Sequence, residues 1–329
     1  MTAVQIRDIA IYHPEKEVAN DYYIEKFQKQ GSDVTGLLQA LGRNKRFIID
    51  NPTENSLTMA EEAAKKVLLS SGLSGPDLDL IIFTSQTPEY LLPSNALKLH
   101  NALGGDLNTT CFDINANCAG MLVAVEQAAR YMISNPRIER ALVVGADHFS
   151  VHTPDNAVYH SNFADAAVAV ILDRTTGSKG FIDSVYQTDT SVINNSLFPG
   201  NGLSNLYREE FSAKDAQVQF TPFDDSVCVN SALDSIQTLL RRNEVSKEEV
   251  SAFLFSQFSL GNVKLVSERL ELPMSKIPYI GDKYGYTATN SPFLALYDEI
   301  KAGKIKRGDY CLFWTVGAGW QNVSILIQY

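Results

Sequence analysis

Cysteine is scarce in this chain of 329 residues: there are four, Cys111, Cys118, Cys228 and Cys311, at spacings that match no metal-ligand pattern. So few thiols over such a length exclude a disulfide scaffold, and they leave a zinc site without a ligand set. No metal and no cofactor is expected, while a thiol with a chemical task stays open. Basic excess is missing too. Lys and Arg number 28 against 38 Asp and Glu, a formal net charge of −10. Without a basic face there is little counterion release to drive binding to nucleic acid or to an anionic membrane surface. No apolar run approaches the ~20 residues that span a bilayer. The N-terminal stretch carries Arg7, Asp8 and His13 where a signal peptide would be apolar, so a cytoplasmic location is expected.

What is present is ordinary globular composition, 45% hydrophobic and 20% charged. Short apolar runs read as buried parallel strands at Leu78–Thr84, Cys111–Asn115, Ala141–Gly145 and Ala166–Leu172. Amphipathic helices are predicted over Thr58–Ser70 and Ser94–Ala102. Ala119–Ser134 is apolar nearly all round, as a buried central helix must be. The second half repeats the plan, with strands at Val250–Phe255, Tyr310–Val316 and Val323–Tyr329 and helices at Asn262–Leu270 and Ser291–Ala302.

The halves also share wording. Phe83-Thr84-Ser85-Gln86 answers Leu254-Phe255-Ser256-Gln257, and Val144-Gly145-Ala146 answers Val316-Gly317-Ala318, both at an offset near 171. Cys118 answers the neighbourhood of Tyr286 at a slightly smaller offset. Matches in one order at nearly one offset point to an internal duplication, divided here as 1–175 and 176–329. Between the halves, Val185 to Phe223 is rich in Asn, Ser, Gly and Pro and fits no regular element. A connection this long is expected to act as a lid or wall of a binding site, or else as an ordered surface excursion.

Cys118 lies in Asn115-Ala116-Asn117-Cys118-Ala119-Gly120-Met121, between the end of a strand and the start of the central helix. A thiol there meets the helix dipole and free N–H groups, which favour thiolate, and Ala119 and Gly120 would leave room for a substrate chain. A buried structural cysteine is the equally open alternative.

Five blocks resemble the thiolase superfamily, in its β-ketoacyl-ACP synthase III-like branch: residues 87–94 (Thr87 to Ser94), 112–120 (Phe112 to Gly120), 143–147 (Val143 to Asp147), 163–167 (Phe163 to Ala167) and 317–320 (Gly317 to Trp320). The resemblance implies a duplicated αβαβα five-layer sandwich and an acyltransferase in which Cys118 carries an acyl group as a thioester, then yields it to a second substrate. It implies an oxyanion hole from the backbone N–H groups of Cys118 and Ala318, and a homodimer joined through the strand that leads to the cysteine. Two departures stand out. Ser256 occupies the place of the family's catalytic His, and Tyr286 that of its Asn. Both hydroxyls donate hydrogen bonds, but neither is a general base near neutral pH. Decarboxylative condensation is therefore in doubt, since losing one oxyanion donor costs ~10²–10³ in rate.

Of the five histidines (His13, His100, His148, His152 and His160), His148 is the candidate substitute base, because it follows Asp147 at the active-site end of a strand; a structural role is its alternative. Glu89 reads as structural. The segment Gly36–Gly42 lacks the Trp and Arg with which the family holds coenzyme A, and Gly261 stands where a basic residue is usual. Acyl carrier protein is thus the expected partner, ahead of acyl-CoA, docking through Lys264, Arg269, Arg241 and Arg242, unless those are a solvated helix face. Phe198, Leu203 and Phe258 are candidate pocket residues. The reading is an acyl-transferring ketosynthase or acyltransferase of fatty-acid-like or secondary metabolism; the alternative is a catalytically degenerate subunit that partners an active ketosynthase in a heteromer.

Overall fold

The computed structural model describes residues 2–210, 212–222, 224 and 226–329. The chain opens with β1 (Thr2–Tyr12), and a two-stranded excursion of β2 (Lys16–Ala19) and β3 (Lys45–Ile48) encloses α1 (Asn20–Lys29) and α2 (Thr35–Leu41). Then follow α3 (Ser56–Ser71), β4 (Leu80–Thr84), α4 (Asn95–Leu103), β5 (Thr110–Ile114), α5 (Gly120–Ser134), β6 (Arg140–Asp147), α6 (Phe149–His152) and β7 (Ala166–Thr176). The second half comprises β8 (Gly180–Thr188), the short pair β9 (Ser196–Leu197) and β10 (Gln219–Phe220), α7 (Ser226–Arg242), β11 (Val250–Phe255), α8 (Leu260–Arg269), α9 (Gly281–Tyr284), α10 (Ser291–Lys301), β12 (Tyr310–Gly317) and β13 (Gln321–Gln328).

Two sheets result. The first runs β1-β7-β6-β4-β5 and the second β11-β12-β13-β8. In both, the strands nearest the site are parallel: β4 with β5 and β6, β11 with β12. Helices α5 and α10 lie between the sheets, and the apolar faces of both sheets close on them in one core that includes Leu122, Val125, Phe293 and Phe313. Helix α3 covers the outer face of the first sheet, with Ala60, Ala63, Ala64 and Val67 buried at helical spacing. Helices α7 and α8 cover the second through Val229, Ile236, Val263 and Val266. The order α-β-α-β-α is the five-layer sandwich that the family resemblance implied.

The second sheet has four strands rather than five. The stretch that would answer β5 carries α9 instead, preceded by a turn at Met274–Lys276. Among the elements that the sequence pattern did not mark are β1, β8 and α7. Strand β1 breaks its period of two at a bulge between Ile6 and Asp8, so its buried set switches phase mid-strand. Strand β8 extends to Thr188, so Val185 to Thr188, expected to be irregular, pair with β13. Helix α7 begins directly beyond the long connection; Phe223, the far end proposed for that connection, lies outside the described residues. No helix among the described residues is long and apolar enough to cross a membrane.

Candidate active site

The residues gathered around Cys118 come from the carboxyl ends of four parallel strands, where an α/β sheet leaves its crevice. Gln86 follows β4, Cys118 follows β5, Ser256 follows β11 and Ala318 follows β12. All four line one cavity of about 120 Å³. Its other walls are mainly aromatic and aliphatic, among them Phe149, Phe163, Phe258, Trp314 and Trp320. The long connection supplies Val192, Asn195, Ser196, Val218 and Phe220, so it does form a wall. Among the described residues, none that lines the cavity is Asp, Glu, Lys, Arg or His.

Cys118 sits in a tight turn, Asn117–Ala119, whose first residue takes a left-handed backbone at φ 52° before α5 begins. The turn is braced against the glycine-rich reversal between β12 and β13. Asn117 Nδ2 donates to Ala318 O at 3.0 Å, and a Cβ on Gly317 would come within 2.7 Å of Ala116 O. A side chain at 317 would push the two turns apart, which is why a glycine stands there.

Tyr286 reaches the sulfur from the other half. Its backbone is pinned to residues 162–164, with its N–H on Asn162 O at 3.0 Å and its carbonyl accepting from Ala164 N at 2.9 Å. Gly285 before it has φ 78°, and a Cβ there would meet Arg46 Cβ at 2.5 Å, so the close approach needs glycine. The Tyr286 side chain interacts with both Cys118 and Ser256. Ser256 itself extends the parallel ladder, donating its N–H to Trp314 O at 2.8 Å. The two residues at the family's His and Asn positions thus line the cavity beside the thiol, each with a hydroxyl.

Sequence reasoning missed Gln86. Its Nε2 donates to Cys118 Sγ at 3.3 Å and lies 3.4 Å from Thr289 Oγ1. Its backbone N–H is held at 2.7 Å by Asp147 Oδ1, which also accepts from Ser85 Oγ at 3.0 Å, while Asp147 Oδ2 takes the N–H of Thr289 at 3.1 Å. The repeated Ser-Gln tetrads were the available signal. In the second copy Gln257 is turned inward, accepting from Ile280 N at 2.8 Å and donating to Phe255 O at 2.8 Å, so the same dipeptide serves the site in one half and the core in the other.

Several expectations need correction. The helix terminus does not make Cys118 a resting thiolate: burial pushes its pKa up to about 11, against the downward pull of Tyr286 and Gln86. Gly120 makes room for protein rather than for substrate, because a Cβ there would collide with the Thr84 hydroxyl and come within 2.9 Å of Thr289 Cγ2. Thr289, rather than Tyr286, stands at the duplicate position of Cys118. His148 is not a wall of the cavity. Its Nε2 is 4.0 Å from Asp165 Oδ2, its ring is 6.0 Å from that of His152, and burial lowers its pKa to about 4. The other histidines are also engaged elsewhere; His13, for example, stacks on Phe47. Glu89 is exposed. Of the candidate pocket residues, Phe258 lines the cavity, Phe198 packs behind it against His152, and Leu203 faces solvent.

Comparison with known proteins places these features in a family. Residues 112–190 match the 3-oxoacyl-(acyl-carrier-protein) synthase III family, and residues 240–329 match its C-terminal domain. A beta-ketoacyl-(acyl-carrier-protein) synthase III from Vesicomyosocius okutanii is 30% identical over 295 residues, covering 88% of each chain. A second such synthase from Bacteroides thetaiotaomicron is 28% identical over 302 residues, 89% of this chain and 87% of its own. The crystal structure of 3-oxoacyl-(acyl-carrier-protein) synthase III from Aquifex aeolicus superposes with a TM-score of 0.86 at 25% identity, covering 99% of this chain and 100% of that one.

Proposed function

Because the chain belongs to the 3-oxoacyl-(acyl-carrier-protein) synthase III family of acyltransferases, we propose that it moves acyl groups through a thioester on Cys118. The sulfur attacks the carbonyl carbon of a donor thioester, the carbon–sulfur bond of the donor breaks, and the donor leaves as a thiol with the proton that Cys118 gave up. The backbone N–H groups of Cys118 and Ala318 receive the oxyanion that forms on the way. What carries the reading is the family's cysteine on the wall of a mostly apolar cavity, with two turns from opposite halves braced around it.

The acyl chain that fits is uncharged, because an ion would find no counter-charge among the described lining residues and would lose its hydration without replacement. Transfer is favoured over decarboxylative condensation. Ser256 and Tyr286 supply donors, but no described lining group is a base near pH 7, and burial lifts the Tyr286 hydroxyl well above its usual range. Acyl carrier protein is the donor this reading prefers over acyl-CoA. The docking candidates Lys264, Arg269, Arg241 and Arg242 are all exposed, though Arg242 is tied to Asp183 at 2.5 Å and Arg269 to Asn230 at 2.7 Å. We take residues 1–175 and 176–329 as the two halves, a homodimer as the working form, and the cytoplasm as its location.

Intact-protein mass spectrometry after incubation with a panel of acyl-carrier thioesters tests the core of this. The wild type should gain the acyl mass and Cys118→Ala should not. Loading that persists in Cys118→Ala removes the nucleophile from the scheme. No loading from any donor leaves the chain as a non-catalytic partner of another ketosynthase.

A further inference from the structure

The cavity raises a problem that its own residues must solve. Cys118 is half-buried, no cation among the described residues lines the space, and the thiol has to lose its proton before it can attack. From the placement of its side-chain amide, we infer that Gln86 is a catalytic residue that stabilises the anionic form of the Cys118 sulfur. The inference rests on Cys118 being the acyl-carrying nucleophile.

Three observations support it. The first is contact: Nε2 is 3.3 Å from Sγ, and Oε1 of the same amide lies 3.7 Å from it. An amide so placed accepts from the resting S–H and donates to the thiolate, so one group serves both protonation states. The second is that the amide is held. Thr289 Oγ1 stands 3.4 Å from Nε2 and itself donates to Asn117 O at 3.0 Å, which ties the amide to the turn carrying Cys118. The third is the shared anchor. Both oxygens of the buried Asp147 carboxylate are used to fix the backbones of Gln86 and Thr289. A side chain with only a packing role would not need its strand end and its neighbour fixed by one carboxylate.

Asp147 and Thr289 are positioning residues in this scheme, since neither touches the sulfur. Gln86 differs from Tyr286 in being free of a second task on Ser256. It therefore remains beside the sulfur while the backbone N–H groups of Cys118 and Ala318 receive the acyl oxygen.

The test uses the full chain and iodoacetamide as the probe, with alkylation followed on the Cys118 peptide by mass spectrometry across pH 7 to 10. Gln86→Met fills the same space without polar atoms, and Gln86→Glu keeps the shape but exchanges the donor for an acceptor. Because the Asp147 anchor grips backbone N–H, both variants should keep the fold, and unchanged melting temperatures would show it. Loss of one hydrogen bond to a charged sulfur raises the thiol pKa by about one unit. The thiolate fraction then falls about tenfold, partly offset by higher intrinsic nucleophilicity, so alkylation at a fixed pH should slow about three- to fivefold in Gln86→Met. Gln86→Glu should be slower still. Equal rates in wild type and both variants would overturn the assignment. Failure of acyl loading with the alkylation shift intact would instead overturn the proposed function while leaving the thiolate role standing.

Discussion

Asn117 and Ala288 stand 171 residues apart and hold nearly the same left-handed backbone, φ 52° and φ 48°, each opening the tight turn before a buried helix. Neither is glycine, so each position stores ~1–2 kcal/mol of conformational strain. Repetition of a strained turn in both halves is what a duplication leaves behind. The copies have since diverged: the first turn presents Cys118, and the second presents Thr289 as the brace for Gln86.

Removing the two hydroxyls should separate loading from condensation. Tyr286→Phe and Ser256→Ala keep Gln86 beside the sulfur, so each should still accept an acyl group, at a reduced rate. Malonyl-carrier decarboxylation should be weak in the wild type, because the family's His and Asn, expected to donate to the enolate, are replaced by Ser256 and Tyr286. Rapid decarboxylation by the wild type that is lost in either variant would show that these hydroxyls replace the missing His and Asn.

Gly120→Ala should be among the more damaging single-methyl changes in the chain. The new Cβ meets the Thr84 hydroxyl and Thr289 Cγ2, so the site must shift or the helix start must move. Overpacking of this kind costs roughly 1–3 kcal/mol. Chemical denaturation should register that loss, together with slower alkylation of Cys118 as Thr289 is displaced from Gln86. A variant as stable as wild type would mean that the turn has more slack than its contacts imply.

Acid should destabilise the wall behind the cavity. Burial holds His148 and His152 neutral, with pKa values lowered to about 4. A depressed histidine contributes stability that is present above its unfolded pKa of ~6.5 and is lost as pH falls through the folded value. Asp165, raised to about 6 by burial, works in the opposite sense and recovers part of the loss as it takes up a proton. The melting temperature should therefore fall between pH 6.5 and 4. His152→Phe, placed against Phe198, should flatten that fall; an unchanged slope would assign the acid sensitivity elsewhere.

The free edge of β5 should be covered in solution. It closes the order of the first sheet with a partner on one side only, and Tyr90, Leu91, Leu92, Leu97 and Leu107, from the segments around it, are exposed. Light scattering at micromolar concentration should return the mass of two chains. Asp113 lies on this strand but accepts from the N–H groups of Asn95 and Ala96 at 2.8 Å, so disruption is better tried at Leu107→Lys, which should yield a monomer. A monomeric wild type would contradict the proposed homodimer.

The sequence by itself determined the layered duplication, because apolar runs, a helix apolar on all sides and two repeated tetrads are local features that survive without coordinates. It also marked Cys118 and Ala318, which follow strand ends inside blocks that resemble the family, and Ser256 and Tyr286, which stand where the family's His and Asn are expected. It missed β1, whose bulge shifts the alternation of buried residues, and it assigned Val185 to Thr188 to a loop when β13 was their partner. Only the tertiary structure decided what each strand end does. Gln86 and Gln257 read alike, and one points at a sulfur while the other binds backbone in the core; His148 reads as a candidate base, and packing turns it towards Asp165. The physical reason is that side-chain direction and burial at a strand end are set by the elements packed against it from elsewhere in the chain, and the charge state of a half-buried thiol is set by all of them together.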